Sequence, residues 1–566
     1  MAATGTDLDT LRDQARAWIE DDPDPDTRAE LAGVLDRLPD SRVDQADLVD
    51  RFAGPLRFGT AGLRGPVRAG PNGMNRAVVR AATAGLVAWL AGHDPRGAAG
   101  PLVIGYDARR GSREFADEAA RVSTGAGRPA LVLPRPLPTP VLAHAVRHVG
   151  AAAGVMVTAS HNPPRDNGYK VYLGARLGGR LGAGAQIAPP VDEEIEAAIR
   201  TVGFLRAVPL GDPGTVLGDE IVESYATAAA AVVDRDTPRD IAIAYTPLHG
   251  VGAEVLAAAF ERAGFPVPTM AAEQVAPDPT FPTVAFPNPE EPGAMDQVLA
   301  LADSTGADIA IANDPDADRC AVAVRDDRGG WRMLRGDEVG VLLADHLMRR
   351  GRRGLYATTV ASSSMLGAVC AARSLPYAET LTGFKWIVRA TGGELVYGYE
   401  EALGYCAAPD MVRDKDGITA ALLITELAST LKSEGRTLTD LLDDLAVEHG
   451  LHATDQLSVR VEDLSIITDA MRRLREQPPT ELAGLPVTNA EDLTKGTDKL
   501  PPTDGLRYTL EGARVIVRPS GTEPKLKCYL EVVVPVRDHT ELPAAHAKAK
   551  TLLTALKKDL STAAGI

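Results

Sequence analysis

The stretch IAIANDPDADRCAV, residues 309–322, carries three carboxylates at alternate positions, Asp314, Asp316 and Asp318. Carboxylates this close repel one another strongly unless a cation lies between them. Their hard oxygen ligands suit Mg²⁺ or Ca²⁺, and an EF-hand is excluded because its sixth position needs Gly where this chain has Arg319. An exposed acidic turn is the alternative, but the apolar flanks favour burial at a sheet end, where unpaired carboxylates are costly. The stretch therefore predicts a metal site.

The stretch VMVTASHNPP, residues 155–164, ends an apolar run in a polar turn that contains Ser160 beside His161. A serine next to a histidine suggests a hydrolase. However, neighbouring side chains of an extended chain point to opposite sides, so His161 is not expected to be the base for Ser160. The nucleophile elbow G-x-S-x-G is also absent, since Thr158 and Ala159 precede the serine. A triad partner elsewhere in the fold stays open at this point.

The stretch VRPSGTEPKLK, residues 517–527, offers a guanidinium, two hydroxyls and free backbone N–H groups around a glycine, in Arg518, Ser520, Gly521 and Thr522. That combination can form an anion-binding nest for phosphate. It is not a Walker loop, because GxxxxGK[ST] is absent and a strand is predicted to follow. An ordinary hairpin turn is the alternative.

Three further motifs are weaker when each is taken alone. FGTAGLRG, residues 58–65, places glycines around Arg64, so that backbone and guanidinium could both approach a ligand. TGFKWI carries Lys385 in a glycine-led aromatic loop, and YEEALGY carries Glu400 and Glu401, which could accept hydrogen bonds from sugar hydroxyls. Solvated surface lysines and glutamates are the common alternative.

Short apolar strands that run into polar loops and then into helical patterns occur at three places, PLVIGYDAR, DIAIAYTPLHGVG and GLYATTVASSS. This rhythm predicts similar α/β units with largely parallel sheets. The last hundred or so residues differ: strand, loop and strand precede a long helical pattern, which indicates a smaller α+β domain. Linkers are expected near residues 205–215, 325–330 and 446–456.

Composition restricts the class of protein. A chain of 566 residues is too long for one core, and its net charge of −17 argues against nucleic acid or an anionic membrane as the main partner. The N-terminus lacks the basic start and apolar core of a signal peptide, and the longest apolar stretch, residues 81–91, is too short for a membrane span. A cytoplasmic protein is expected. The scattered cysteines predict buried thiols, at Cys320, Cys370, Cys406 and Cys528.

The motifs TASHNPP, DPDADR, YEEALG and RPSGT occur in this order across nearly the whole chain. In this the sequence closely resembles the α-D-phosphohexomutase superfamily, the phosphoglucomutase and phosphomannomutase enzymes. The additional motifs RFGTAGLRG and TPLHGVG make it most similar to the phosphoglucomutase-2-type branch. That branch includes bacterial phosphoglucomutases and phosphomannomutases as well as phosphopentomutases.

The resemblance implies an α/β fold with three similar mixed α/β domains and a C-terminal α+β domain of TATA-binding-protein-like shape, around a central cleft. We expect the phosphoserine loop in domain I, the metal loop in domain II, the sugar loop in domain III and the phosphate loop in domain IV. The expected bounds are 1–210, 211–327, 328–450 and 451–566.

The resemblance also implies roles for individual residues. Ser160 would be the phosphoserine, and one Mg²⁺ per chain would be held by Ser160, Asp314, Asp316 and Asp318. Arg319 would contact the reacting phosphate, and Glu400 and Glu401 would bind the sugar hydroxyls. The non-reacting phosphate would be bound by Arg518, Ser520, Gly521, Thr522 and Lys527. The electrostatic and acid/base residues near the transferring group would be Arg64, Lys170 and Lys385, while His161 would help to shape the serine turn and hold the phosphate.

The implied reaction is the interconversion of hexose 1-phosphate and hexose 6-phosphate. Phosphoserine gives its phosphoryl group to the free hydroxyl, the sugar 1,6-bisphosphate turns end for end, and its other phosphate returns to the serine. Mg²⁺ would neutralise the charge that builds up during transfer. A lysine base would need a lowered pKa, which a cationic cluster of Arg64, Lys385 and the metal could provide. Sugar phosphates are the expected partners, and the chain is expected to be a monomer or small homo-oligomer.

Three alternatives stay open at this stage. Ala402 follows the paired glutamates where many hexose-preferring relatives carry Ser, which leaves a phosphopentomutase open. A metal-dependent sugar phosphatase would use the same aspartates, but it needs no serine to store phosphate. A non-catalytic sugar-phosphate sensor would be expected to lack the serine or an aspartate, and both are present.

Overall fold

The protein was analysed as a computed structural model, which describes residues 8–38, 41–59, 62–94, 97, 100–326, 329–461, 463–520 and 525–566. The chain packs into two compact units. The first unit comprises Met1–Val232, Ala242–Cys320 and Asp410–Thr419. The second unit comprises Val233–Ile241, Ala321–Pro409 and Ala420–Ile566.

The first unit begins with three helices, α1 (Leu8–Asp21), α2 (Pro25–Arg37) and α3 (Arg42–Arg51). Asp24 and Ser41 cap α2 and α3 by accepting hydrogen bonds from backbone N–H groups of the first turn. The helices bury a small core of their own, built on Leu11, Leu31 and Leu48.

A mixed six-stranded sheet forms the body of the first unit. Its elements are β1 (Leu63–Pro66), α4 (Arg76–His93), β2 (Leu102–Tyr106), α5 (Ser112–Gly125), β3 (Ala130–Val132), α6 (Thr139–His148), β4 (Ala153–Val157), β5 (Asp166–Leu173), α7 (Ala175–Gly182), α8 (Val191–Arg200), β6 (Thr215–Val216) and α9 (Glu220–Ala230). The strand order is β1-β5-β4-β2-β3-β6, parallel from β4 to β6 and antiparallel at β1, β5 and β4. Strands β2 and β4 are buried along their whole length, as is typical of central parallel strands.

A second, parallel arrangement completes the first unit. It comprises β7 (Ile243–Thr246), α10 (Gly252–Arg262), β8 (Thr269–Met270), α11 (Ala272–Val275), α12 (Asp296–Thr305) and β9 (Ile309–Ala312). Strand β7 lies between β9 and β8 and runs parallel to both. Side chains that follow β9 are therefore presented at the carboxyl edge of this sheet, where α/β proteins place their ligand sites.

The second unit contains two sheets and a hairpin. Its elements up to the C-terminal sheet are β10 (Ala321–Arg325), β11 (Trp331–Met333), α13 (Gly336–Arg349), β12 (Leu355–Thr359), α14 (Met365–Ala372), β13 (Tyr377–Thr380), α15 (Phe384–Ile387), β14 (Leu395–Glu400), β15 (Gly404–Cys406), α16 (Gly417–Ser433) and α17 (Leu438–His449). Strands β10 and β11 form an antiparallel hairpin, and the order β13-β12-β14-β15 forms a sheet with parallel pairs except at β14–β15.

The C-terminal part of the second unit is an antiparallel sheet covered by two helices. It contains β16 (Leu451–Arg460), α18 (Ser465–Glu476), β17 (Glu481–Leu482), β18 (Leu485–Asp492), β19 (Leu506–Leu510), β20 (Ala513–Pro519), β21 (Lys525–Val534) and α19 (Leu542–Ala564). The order is β16-β21-β20-β19-β18-β17. Alternate residues such as Val515 and Val517 of β20 point into the core with Leu474, Leu556 and Leu560 of the helices.

The predicted fold class is confirmed. The three apolar stretches singled out in the sequence are β2, β7 and β12, followed by α5, α10 and α14, and the long C-terminal helical pattern is α19. The four cysteines are buried and free, as expected. The bounds of the four domains stay a prediction.

Two of the expected linkers lie at the ends of regular elements. In the segment around 446–456, α17 ends at His449 and β16 begins at Leu451, with Gly450 alone between them. Strands β10 and β11, which flank the segment near 325–330, are paired. Within the described ranges, no helix combines the length and the apolar character that crossing a bilayer requires.

Candidate active site

The serine turn follows β4, and Ser160 lies buried in it with a left-handed backbone conformation, φ 53°. Its N–H donates to Thr158 Oγ1 at 2.9 Å. The guanidinium of Arg109 closes the turn by donating to the carbonyl oxygens of Ser160 and Asn162 at 2.5 and 2.6 Å. Because a positive φ is unfavourable for a residue with a Cβ, these contacts are needed to hold the serine in place.

The Ser160 hydroxyl has two polar neighbours. It donates to Asp314 Oδ2 at 2.6 Å, and its Oγ lies 3.0 Å from His161 Nδ1. The expectation that His161 points away from Ser160 is therefore wrong. That expectation assumed an extended chain, whereas the left-handed φ at Ser160 turns adjacent side chains toward the same side.

The metal loop, residues 313–319, follows β9 and buries all three carboxylates, since Asp314, Asp316 and Asp318 are 0% exposed. One oxygen from each lies within 4.8 Å of the others. Arg319 N–H donates to Asp314 Oδ1 at 3.0 Å, which folds the loop back on itself. The predicted acidic cluster at a sheet end is therefore present in the structure.

The backbone of the motif TPLHGVG contacts the backbone of the metal loop. Val251 N–H donates to the carbonyl oxygen of Pro315 at 2.9 Å. A Cβ built on Gly250 would lie 2.3 Å from Pro315 Cα, so a residue with a side chain would displace the loop. The glycine is thus required for close approach of the two backbones.

Lys170 of β5 is the main cation at the metal loop. Its buried Nζ donates to Asp316 Oδ2 at 2.7 Å and to Asp318 Oδ2 at 2.9 Å. Burial alone would lower the pKa of Lys170, but these two carboxylates outweigh it and raise the pKa above its ordinary value. Lys170 is accordingly held as a cation by the metal loop.

Two further groups fix the same carboxylate oxygens. Thr139 Oγ1 donates to Asp316 Oδ2 at 2.6 Å, and Lys415 Nζ lies 3.2 Å from Asp318 Oδ2. The other oxygens, Asp316 Oδ1 and Asp318 Oδ1, are buried and have no hydrogen-bond partner among the described residues. Burial, together with the neighbouring Asp316 and Asp318, raises the pKa of Asp314 well above its usual range.

These observations fit a hard divalent cation. The unpartnered oxygens are carboxylate oxygens, which Mg²⁺ prefers, and the raised pKa of Asp314 reflects burial and then the negative charge of Asp316 and Asp318. The residues that would hold the ion are the three aspartates, together with Ser160, whose hydroxyl already contacts Asp314.

The arginines expected near the reacting group lie close to these two loops. Arg64 of β1 donates to Asn162 Oδ1 of the serine turn at 2.8 Å. Arg319 ends the metal loop and lies 3.7 Å from Glu290 Oε2. Ser160, His161, Arg64, Lys170, Arg319 and the three aspartates are therefore brought together within the first unit.

Sequence reasoning missed Arg109, Thr139 and Lys415 in this cluster. Arg109 belongs to the quoted stretch PLVIGYDAR, and an arginine two positions after Asp107 at the end of an apolar strand pattern was the available signal. Lys415 belongs to RDKDG, a charged run directly before α16. Thr139 had no signal of its own, because a lone threonine at a helix start is normally read as a cap.

The sugar loop, residues 400–403, follows β14 in the second unit. Glu401 Oε2 accepts hydrogen bonds from Ser362 Oγ at 2.8 Å and from Thr359 Oγ1 at 3.1 Å. Within the described part of the chain, Glu401 Oε1 makes no hydrogen bond. Glu400 is half-buried beside it, at the end of β14.

The phosphate loop joins β20 and β21. Arg518 and Lys527 lie opposite each other in the register of this hairpin, and Ser520 N–H donates to the carbonyl oxygen of Lys525 at 2.8 Å. Gly521 and Thr522, which were expected to bind phosphate, lie outside the described residues. Lys385 lies in the second unit on the short helix α15. This helix begins directly after Gly383, whose φ of 106° suits glycine.

Sequence profiles of one family match four successive segments of the chain. "Phosphoglucomutase/phosphomannomutase, alpha/beta/alpha domain I" matches residues 55–206, domain II residues 223–329, domain III residues 335–448, and the C-terminal domain residues 457–549. Together these segments cover most of the chain.

Individual proteins are similar over most of the length as well. A protein of Haemophilus influenzae named "Probable phosphomannomutase" is 47% identical over 464 residues, covering 81% of this chain and 93% of the relative. A mouse protein named "Phosphopentomutase" is 32% identical over 586 residues, covering 94% and 92%. The crystal structure of a Thermus thermophilus protein assigned as a phosphomannomutase has a TM-score of 0.69 at 26% identity, covering 90% of this chain and 99% of that one.

Removal and return of Mg²⁺ should change the thermal stability of the protein. Because the ion would bind the folded metal loop only, adding it at about 100 times its Kd should stabilise the metal-stripped protein by about 2.7 kcal/mol, seen as a rise in Tm. Asp314→Asn should keep a Tm near that of the stripped protein but lose most of the rise. Asp240→Asn, at a fully exposed side chain, is the matched control and should keep it. An equal rise in both variants would contradict the site.

Asp337, at the start of α13, should make stability depend on pH. Burial, assisted by the nearby Glu401 and Glu531, raises the pKa of Asp337 to about 7. Between about pH 4 and pH 7 the folded protein thus holds a proton that the unfolded chain has released, so this group makes unfolding easier as the pH rises. The loss stops above about pH 7.

Asp337→Asn should remove this contribution, because the amide stays neutral and its oxygen can still accept from Ser363 N–H. The Tm difference between variant and wild type should grow in favour of the variant from about pH 5 to about pH 8. Asp498→Asn, an exposed change in the same unit, should follow the wild type. Parallel curves for wild type and Asp337→Asn would contradict the assignment.

Proposed function

Because the chain belongs to the phosphoglucomutase/phosphomannomutase family of the α-D-phosphohexomutase superfamily, whose members are phosphomutases of the isomerase class, we propose that it interconverts hexose 1-phosphates and hexose 6-phosphates. The proposed substrates are the phosphates of glucose, mannose or both. The proposed route runs through a phosphoserine at Ser160 and a sugar 1,6-bisphosphate, which is also the activator that first loads the serine.

One observation carries the proposal: the Ser160 hydroxyl donates to Asp314 Oδ2 at 2.6 Å, inside a buried loop with two further aspartates. A hydrolase dyad would need no such cluster. A serine that stores phosphate needs it, because the phosphate has to be held beside a cation while the sugar is exchanged.

The proposed transfer needs no co-reactant. In the first half the free sugar hydroxyl oxygen attacks phosphorus, its proton passes to a base, the bond from phosphorus to Ser160 Oγ breaks, and Ser160 Oγ takes up a proton. In the second half Ser160 Oγ attacks the other phosphorus of the bisphosphate and gives up its proton, the bond from that phosphorus to the sugar oxygen breaks, and the sugar oxygen takes up a proton. His161 Nδ1, 3.0 Å from Ser160 Oγ, is within reach to hold the proton of Ser160.

Charged residues of the first unit are proposed to assist the transfer in different ways. A Mg²⁺ ion bound by the aspartates would offset the negative charge on the transferring phosphoryl oxygens. Lys170 keeps Asp316 and Asp318 oriented by holding one oxygen of each. Arg64 and Arg319, beside the serine turn and the metal loop, are proposed to contact the reacting phosphate.

Recognition of the sugar and of the non-reacting phosphate is proposed for residues of the second unit. Glu401 supports a role in sugar recognition because one oxygen is fixed while the other has no hydrogen bond among the described residues. Glu400 is proposed as its partner, and Lys385 as an electrostatic or acid/base residue. The non-reacting phosphate is assigned to the phosphate loop, through Arg518, Ser520, Gly521, Thr522 and Lys527.

Ser160→Ala should remove nearly all mutase activity, with a loss of about three orders of magnitude or more, because the variant has no oxygen to carry the phosphoryl group. Intact mass after incubation with a sugar 1,6-bisphosphate should show one phosphate per chain in the wild type and none in the variant. Ser304→Ala, an exposed serine of the same unit, is the control. Turnover near the wild-type rate by Ser160→Ala would refute the phosphoserine route.

A side-by-side assay on glucose, mannose, glucosamine and ribose 1-phosphates should show that glucose 1-phosphate reacts at least as well as mannose 1-phosphate, and that both outpace the pentose. Pentose phosphates are the second candidate, since Ala402 departs from hexose-preferring relatives and the mouse relative is named a phosphopentomutase. A pentose phosphate that reacts far faster than either hexose would overturn the hexose assignment. Release of inorganic phosphate without isomerisation would indicate a phosphatase instead.

A further inference from the structure

The hairpin of β20 and β21 has two different faces. Val515 and Val517 point into the helix-covered core. The opposite face carries three cross-strand pairs in register: Arg514 with Glu531, Ile516 with Tyr529, and Arg518 with Lys527. The last pair leads into the phosphate loop, so this face runs from the phosphate loop to the Arg514–Glu531 pair.

The loop of residues 360–364, which follows β12, lies along this face. Ala361 packs against Ile516 and Tyr529. Arg514 donates to the carbonyl oxygen of Ser362 at 2.5 Å and to Glu531 Oε2 at 3.0 Å. Both backbone and side chain of the loop are therefore tied to the hairpin.

Glu531 fixes the second half of the 360–364 loop. Its Oε1 accepts from Ser363 Oγ at 2.7 Å and from Ser364 N–H at 2.8 Å. Glu531 is 4% exposed. Burial alone would raise the pKa of its carboxyl, but the hydrogen bond with His452 and the charge of Arg514 outweigh burial and lower the pKa to about 2. A buried charge pair of this kind gives orientation more than stability, since an apolar pair of similar size would pack without the desolvation cost.

The other side of the 360–364 loop holds the sugar loop. Ser362 Oγ donates to Glu401 Oε2 at 2.8 Å and accepts from Glu401 N–H at 3.2 Å. The backbone of Glu401 is also confined by α13, because a Cβ built on Gly336 would lie 2.0 Å from the Glu401 carbonyl oxygen. Ser362 is 1% exposed, so it cannot itself reach a ligand in solvent.

We infer that Ser362 is a positioning residue for Glu401, and that the Arg514–Glu531 pair holds Ser362 in place. The hairpin that carries the phosphate loop would then also set the direction of Glu401 Oε1. This inference rests on the proposed function, in which Glu401 binds sugar hydroxyls.

A double-mutant cycle on the full-length, phosphorylated enzyme tests the inference. Ser362→Ala should raise KM for glucose 1-phosphate by roughly tenfold, the effect of losing one hydrogen bond to a charged group, with kcat changed less. In the Glu401→Gln background the same substitution should change KM by less than about twofold, because the oriented carboxylate is already gone. The inhibition constant of inorganic phosphate, which reports the phosphate loop, should stay within about twofold of wild type in Ser362→Ala.

Two further variants test whether the effect of Ser362→Ala comes only from a loss of folding. Ser364→Ala lies on the same loop, contacts His452 rather than Glu401, and should keep the wild-type KM. Arg514→Lys keeps the charge but cannot reach the Ser362 carbonyl oxygen and Glu531 together, so it should raise KM in the same direction as Ser362→Ala.

The outcomes distinguish a failure of the proposed sugar role of Glu401 from a failure of the positioning role of Ser362. If Glu401→Gln leaves KM unchanged, the sugar role of Glu401 in the proposed function fails. If Glu401→Gln raises KM but the effects of Ser362→Ala and Glu401→Gln are additive, or if Ser364→Ala matches Ser362→Ala, the positioning role fails. If Ser362→Ala does not fold, an unchanged KM in Arg514→Lys would overturn the inference.

Discussion

Burial of three carboxylates in one short loop is the constraint on which the first unit depends. Asp314, Asp316 and Asp318 follow β9 and are removed from water, so their charge has to be met by other parts of the chain. Lys170 comes from β5, Thr139 from the start of α6 and Lys415 from the segment before α16. These elements place a donor where the loop requires one, and the serine turn after β4 supplies another.

Asp316, Asp318 and Glu401 share one pattern. One oxygen of each carboxylate is bound by side chains of the protein, and the other oxygen has no hydrogen bond among the described residues. Lys170 binds Oδ2 of Asp316 and of Asp318, while both Oδ1 atoms stay without a hydrogen bond among the described residues. Glu401 repeats the pattern in the second unit with hydroxyl donors. A carboxylate held in this way cannot rotate, so its remaining oxygen is already oriented before a ligand arrives, which lowers the ordering cost of binding.

Patterns of a few residues were enough to predict the fold class and the buried carboxylate cluster. Apolar strands followed by helical spacing located β2, β7 and β12, and alternating aspartates after β9 indicated the buried cluster. What could not be predicted were contacts between distant segments. Lys415 and Asp318 are separated by nearly a hundred positions, and nothing in RDKDG specifies which carboxylate its lysine meets. The contact between Ser362 and Glu401 could not be predicted either, because nothing in the sequence around a loop serine indicates which distant glutamate it will contact.

The contact between Ser160 and His161 could not be predicted from the rules for extended chains. Rules for extended chains separate adjacent side chains, but Ser160 has φ 53°, a conformation that costs about 1–2 kcal/mol for a residue with a side chain. Glycine would remove that cost and also the hydroxyl, so a nucleophile here has to accept it. Arg109 offsets the cost, because its buried guanidinium donates to four carbonyl oxygens of the turn, those of Ser160, Asn162, Pro163 and Asp166. Such charge-assisted bonds are stronger than neutral ones, and a buried arginine has no water to bind instead. The strained serine is therefore held by the two terminal nitrogens of Arg109, which bond to these carbonyl oxygens, while the Ser160 hydroxyl donates to Asp314.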